Sequence, residues 1–222
     1  MTGSRIRVWD LPTRVFHWAL AGCVLGLVVT GQIGGAAMDW HFRLGYTVLG
    51  LLLFRLVWGF GGGYWSRFRS FSYTPTTVLA YLRGRGEPRH SVGHNPLGAL
   101  SVFALLVFLV MQVGSGLFSD DEIAEMGPLS KFASGALVSK LTFYHKEVGK
   151  LALLLLVALH IGAILFYLFK RRENLIRPML TGDKWDVPEL PSSRDDGRTR
   201  TMALVLAVVC AALVWALLRF AG

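Results

Sequence analysis

Residues 144–169 read YHKEVGKLALLLLVALHIGAILFYLF, and this stretch decides the fold. From 148 to 169 it is apolar apart from Lys150 near its start and His160 near its middle, and it has the roughly 20 residues an α-helix needs to cross a bilayer. Other stretches repeat that length. Residues 16–33, 97–118 and 202–218 carry no charged side chain, while 44–60 carries only Arg55. The pattern predicts an all-α integral membrane protein with five spanning helices. Its expected organisation is a four-helix bundle over 1–180, a polar linker over 181–200 and an additional C-terminal transmembrane helix over 201–222.

The 222-residue chain is 53% hydrophobic, with a mean hydropathy of +0.49 and a formal net charge of +9. In a soluble protein that charge would point to nucleic acid, but here it is sorted by topology. Arg5, Arg7 and Arg14 precede the first span, Arg67, Arg69, Arg83, Arg85 and Arg89 follow the second, and Lys170, Arg171, Arg172 and Arg177 follow the fourth. With alternating spans all three clusters share one side, which the positive-inside tendency makes the cytoplasm. Asp39 and the acidic run Asp120, Asp121, Glu122 and Glu125 fall on the other. The expected topology has the N-terminus inside and the C-terminus outside, with membrane lipid rather than nucleic acid as the surrounding partner.

The first apolar run lacks a small-residue cleavage site and continues to spanning length, so it is expected to stay as a helix. Cys23 and Cys210 both lie inside spans, and no C-x-x-C-H occurs, which argues against covalent haem attachment and against a disulfide framework. The connection 61–96 reads as a surface loop: Gly61-Gly62-Gly63, an aromatic and basic stretch over 64–73, then Pro75. Residues 76–82 are expected to form a short interfacial helix. Asn95 followed by Pro96 reads as an N-cap and first helical residue. Residues 119–144 are expected as an outside loop, and 181–201, with mixed charges and Pro188 and Pro191, as a solvated linker.

Histidines inside spans are functional candidates by default, because a polar ring in hydrocarbon needs a partner. Four of the six histidines qualify. His17 opens the first helix from inside, and His41 and His145 open the second and fourth from outside. His160 lies farther along the fourth helix. Fifteen residues advance an α-helix by about 60° beyond whole turns and by roughly 22 Å, so His145 and His160 can share a face without sharing one metal. Topology supplies their partners: His41 with His145, and His17 with His160. Two bis-imidazole irons stacked across the membrane satisfy all four, and a haem so ligated has no open axial position. Zinc fits less well, because pairs separated by membrane depth do not form a tetrahedral site. Gly45, Gly149 and Ala21 lie one turn beyond His41, His145 and His17, leaving room either for a macrocycle or for close helix packing.

Arg55 lies fourteen residues beyond His41, toward the inner pair, where it either binds a haem propionate or snorkels to headgroups. Lys150 has the same two readings at the outer pair, with snorkelling favoured. His90 reads as a solvated loop residue. His94 either caps the third helix or meets a propionate or a quinone.

Several motifs carry a family resemblance. Trp9-Asp10-Leu11-Pro12-Thr13-Arg14-Val15-Phe16-His17-Trp18, His41 with Gly45, Arg55-Leu56-Val57-Trp58-Gly59-Phe60, and Gly93-His94-Asn95-Pro96-Leu97-Gly98-Ala99-Leu100 resemble the bacterial cytochrome b561 family and the related b-type cytochrome subunits of nickel-iron hydrogenases. The resemblance spans about 5–178. It implies a four-helix transmembrane dihaem bundle in the bacterial inner membrane, two non-covalent b-type haems ligated by His17, His41, His145 and His160, and electron exchange with quinone. Lys146-Glu147 after His145 departs from the family, which often has the acidic residue directly after the ligand and a pair spacing one shorter. That shift turns the outer imidazole. The fifth helix lies outside the usual core.

The resulting expectation is electron transfer between the quinone pool and a periplasmic redox partner such as a c-type cytochrome; the acidic run reads as a solvated loop or, less favoured, as a docking face for that partner. Alternatives are a membrane anchor cytochrome b subunit of a hydrogenase or another oxidoreductase, a superoxide:quinone oxidoreductase, and a haem-free transporter or scaffold.

Overall fold

The computed structural model describes residues 4–120, 126–187 and 189–221. In chain order the elements are β1 Ser4–Arg7, α1 Leu11–Ile33, α2 Met38–Gly61, α3 Phe68–Phe71, α4 Pro75–Leu82 and α5 Pro96–Leu117. Then follow α6 Gly135–Phe143, a π-helical turn Tyr144–Gly149, α7 Lys150–Phe169, α8 Ile176–Thr181, β2 Asp183–Val187 and α9 Gly197–Ala221. Five helical stretches are long and apolar enough to span a membrane: Leu11–Ile33, Gly35–Gly61, Pro96–Leu117, Gly135–Phe169 and Gly197–Ala221. The protein is a multi-pass membrane protein whose spanning part is all-helical.

The fourth stretch starts earlier than expected. Residues 135–143 are helical, so His145 sits inside a continuous helix rather than at its opening. Ser139 and Lys140 made this segment look like loop, but after Gly135 no glycine or proline interrupts it before Gly149. The acidic residues 121–125 lie outside the described residues; Asp120 forms an isolated bridge with Met126.

The chain divides into two compact units. The first comprises Met1–His17, Arg55–Ala104 and Leu159–Val205. Its centre is an apolar cluster of Ile6, Val8, Trp9, Trp65 and Val92, with Met179 and Leu190 packed against it. Asp10 is fully buried and organises the start of α1. Its carboxylate accepts from the Thr13 N–H, the Gly63 N–H, the Ser66 hydroxyl and the Trp58 indole N–H. The Leu11 N–H donates to Asp195, and Pro12 has no N–H to satisfy, so the first turn of α1 leaves no amide orphaned. At α5 the Asn95 side chain accepts from the Gly98 N–H, giving the cap its sequence implied.

The segment expected as a solvated linker is folded. β2 pairs antiparallel with β1. Asp183 binds Arg5 and Arg7, while Asp195 binds Arg7 and Arg200 at 2.6 and 3.0 Å and faces Arg14 at 3.8 Å. Ser193 donates to the Val8 carbonyl and accepts from the Trp65 N–H. Mixed charges looked like solvation in the sequence because their partners lie more than 170 residues away along the chain.

The second unit comprises Trp18–Phe54, Leu105–Ala158 and Leu206–Gly222. Val48, Leu52, Leu106, Leu109, Val138, Leu153, Cys210 and Val214 are buried in it. Phe132 stacks on Phe220 of α9 at 5.6 Å.

Burial works against ionisation of Asp195, but hydrogen bonds from Arg200 and the Leu11 N–H and the charges of Arg200 and Arg7 hold its carboxyl below the usual range. A depressed folded-state value gives stability that is present above about pH 4 and lost as pH falls through that folded value. Amides of 183–199 should therefore lose hydrogen-exchange protection in acid before the spanning helices do. Asp195→Asn should produce the same local loss at neutral pH; unchanged protection in that variant contradicts the clamp.

Candidate functional site

The second unit holds the pair His41 and His145. Their ring centroids are 6.2 Å apart with an interplanar angle of 82°. His41 Nδ1 lies 3.1 Å from the Leu27 carbonyl oxygen and 3.2 Å from the Thr30 hydroxyl. His145 Nδ1 lies 2.9 Å from the Gln112 carbonyl oxygen. A carbonyl only accepts, so in each ring Nδ1 carries the proton and Nε2 keeps its lone pair for a metal. This is the usual way in which an outer hydrogen bond fixes a ligand's tautomer and orientation.

The backbone around His145 is built for that contact. A π turn inserts one residue into an α-helix and commonly occurs at functional sites. Here Tyr144–Gly149 carries His145, and the Gln112 side-chain amide donates to the His145 carbonyl at 2.9 Å. Gln112 thus holds His145 twice, through its own carbonyl and through its side chain. Gly116 and Gly31 make the close approach possible. A Cβ at 116 would stand 2.8 Å from His145 Cε1, and one at 31 would stand 3.2 Å from His41 Cε1. The expected role of Gly45 differs: a Cβ there would meet nothing within 4 Å, while Gly149 packs under Gln112 and Tyr144.

The first unit holds His17, His160, Arg55 and His94. The His17 and His160 centroids are 6.5 Å apart at 52°. Arg55 is only 4% exposed, lies over the Phe68 ring at 4.6 Å, and has a buried Nη1 with no hydrogen-bond partner. His94 is wedged between Trp9 and Phe71 at 4.7 and 4.6 Å, and its Nδ1 is likewise buried and unpartnered. Burial first, then the charges of Arg55, His160 and His17, push His94 down to about 3, so it is neutral at physiological pH. His94 is not the cap of α5, since Asn95 is. His90 is not solvated either. It is 6% exposed, accepts from the Glu87 N–H, and lies edge-on to Tyr73 and Tyr81. The aromatic stretch after α2 folds over it.

The spacing of both pairs would suit an iron held between two imidazoles. About 2 Å for each metal–imidazole bond and about 1 Å from ring nitrogen to ring centre, on both sides, places the centroids about 6 Å apart. Arg55 and His94 offer an orphaned cationic donor and an orphaned neutral ring beside the first pair, as a propionate would require. Among the described residues no three His, Cys, Asp or Glu side chains gather as zinc would need. Lys150 is exposed. The sequence offered no signal for Gln112, Gly31 or Gly116 as neighbours of the ligands, because each acts across helices.

Residues 8–182 match the family described as prokaryotic cytochrome b561. The chain belongs to that family. It is a membrane cytochrome of the b type, and haem b is the cofactor the family implies. The matched span includes all four histidines together with Arg55 and His94, and it ends before α9. Among relatives, a probable Ni/Fe-hydrogenase B-type cytochrome subunit of Bradyrhizobium diazoefficiens is 26% identical over 215 residues, covering 81% of this chain and 85% of that one. The corresponding subunit of Rhodobacter capsulatus is 24% identical over 218 residues, 82% of each chain. That of Azotobacter vinelandii is 30% identical over 132 residues, 47% and 54% respectively. No solved structure matches.

Gly116→Val should push the His145 ring from its place and lower bound haem per chain by about half. Gly114→Ala on the same helix, where a Cβ meets nothing within 4 Å, should leave haem content unchanged. Equal haem in both variants contradicts this reading of Gly116.

Proposed function

We propose that this cytochrome b561 carries two haems and relays electrons between a periplasmic oxidoreductase subunit and the membrane quinone pool, in the bacterial inner membrane with the N-terminus cytoplasmic and the C-terminus periplasmic. The observation that carries the proposal is the pair of facing imidazoles in each unit at the spacing of an iron held between them. Bound haem would supply one-electron ferric–ferrous chemistry. His41 and His145 would hold the outer iron, with Leu27 and Gln112 fixing their tautomers. His17 and His160 would hold the inner iron. Arg55 would bind a propionate there and keep a positive charge beside it. His94 walls the site between Trp9 and Phe71 and would offer Nδ1 to the same propionate or to quinone.

The relatives named as hydrogenase cytochrome subunits favour a partner enzyme of that kind over a freestanding relay to a c-type cytochrome. The acidic run, read as a solvated loop or as a docking face for such a cytochrome, lies outside the described residues except for Asp120.

His160→Ala should lower haem content by about half and leave the outer haem's spectrum intact, and His145→Ala should do the converse. Loss of both haems in each variant, with the protein still folded by circular dichroism, contradicts two separate sites. Arg55→Gln removes a buried cation and should lower the inner haem's midpoint potential by on the order of 50 mV, with Arg55→Lys in between. Quinol should reduce the haems of the wild type under anaerobic conditions; no reduction by any quinol defeats the relay.

A further inference from the structure

A basic cavity lies in the first unit, apart from the histidine pair. It has a volume of about 130 Å³ and is lined by Tyr64, Trp65, Arg67, Arg69, Ser70, Arg89 and Leu190. Three arginines come from two separate connections, the one leaving α2 and the one approaching α5, and no carboxylate lines the space. Glu87 pairs with Arg89 from outside the lining at 3.5 Å, and both are exposed, so it offsets little of the charge.

Part of the wall is anchored, while Arg69 is exposed. Arg67 Nε donates to the Gly62 carbonyl at 2.8 Å. Arg89 lies over the Tyr73 ring at 5.2 Å. Trp65 is 4% exposed, and its indole donates to the Pro191 carbonyl at 2.8 Å. Three like charges around one hollow favour an anion between them, and guanidinium forks match phosphate oxygens.

The surroundings say which anion. Phe68, between Arg67 and Arg69, packs edge-on against Phe60 at 5.6 Å. Phe60 ends an apolar face of α2 and is 78% exposed, with Val57 54% exposed one turn earlier. A ligand with a phosphate in the cavity therefore has an apolar helix face beside it for hydrocarbon. Basic pockets next to spanning helices on the cytoplasmic side bind the headgroups of anionic lipids. We infer that Arg67, Arg69 and Arg89 form a specific site for the phosphate of an anionic phospholipid, on the side the proposed topology makes cytoplasmic.

The test is native mass spectrometry of the haem-loaded protein with phosphatidylglycerol, cardiolipin and phosphatidylcholine in equal amounts. The wild type should retain one anionic lipid per chain with about tenfold preference over the zwitterionic one. A variant with Arg67→Gln, Arg69→Gln and Arg89→Gln should lose that preference, while Arg83→Gln with Arg85→Gln, outside the cavity, should keep it. Haem absorbance per chain checks that all variants are folded and loaded. Equal preference in the triple variant overturns the site. Displacement of the lipid by millimolar inorganic phosphate overturns the lipid assignment, because it would show that the acyl chains add nothing.

Discussion

An imidazole inside hydrocarbon must satisfy two ring nitrogens, and the arrangement of this protein follows from how it does so. In the second unit, backbone carbonyls of Leu27 and Gln112 take the Nδ1 protons of His41 and His145. Each carbonyl belongs to a neighbouring helix, α1 or α5, so the hydrogen bond fixes helix against helix as well as the tautomer of the ring. Both remaining nitrogens are then basic. Two such lone pairs, with ring centres 6.2 Å apart, suit the iron proposed to lie between them. The small residues at 31 and 116 and the π turn around His145 are the backbone's accommodation to that demand.

The first unit reaches the same end by a different route. Asp10 gathers four donors at the head of α1, seven residues before His17, and Asp195 takes the Leu11 amide. A helix whose first turn is pinned this way has its rotation fixed, and with it the direction of a side chain two turns on. β1 and β2, with their arginine–aspartate pairs, hold this capped end in place. Arg55 is buried within reach of the charge of Asp10, and its unpartnered Nη1 and the unpartnered ring nitrogen of His94 are the atoms proposed to meet a propionate.

The spanning helices, and the idea of two histidine pairs, were legible in the sequence. Apolar length declares a span, and a histidine at span depth declares itself by its cost. Local chemistry was also readable, as at Asn95 and Pro96. The onset of α6 was missed because Ser139 and Lys140 are polar and a helix can continue into the headgroup region. The π turn was foreshadowed only by the extra residue after His145. Gln112 was hidden because its role depends on a carbonyl that any residue possesses. The folding of 181–200, and the burial of His90 and His94, depend on partners far away in the chain, and composition says nothing about such partners.

The proposed ligation by two facing imidazoles in each unit carries a definite count and a definite electronic state. Haem quantification on the purified wild-type chain, combined with electron paramagnetic resonance of the oxidised form, measures both together. The account predicts two b-type haems per chain, both low-spin with bis-imidazole signals and neither binding carbon monoxide when reduced. A single haem, or a high-spin haem with an open axial position, would contradict it.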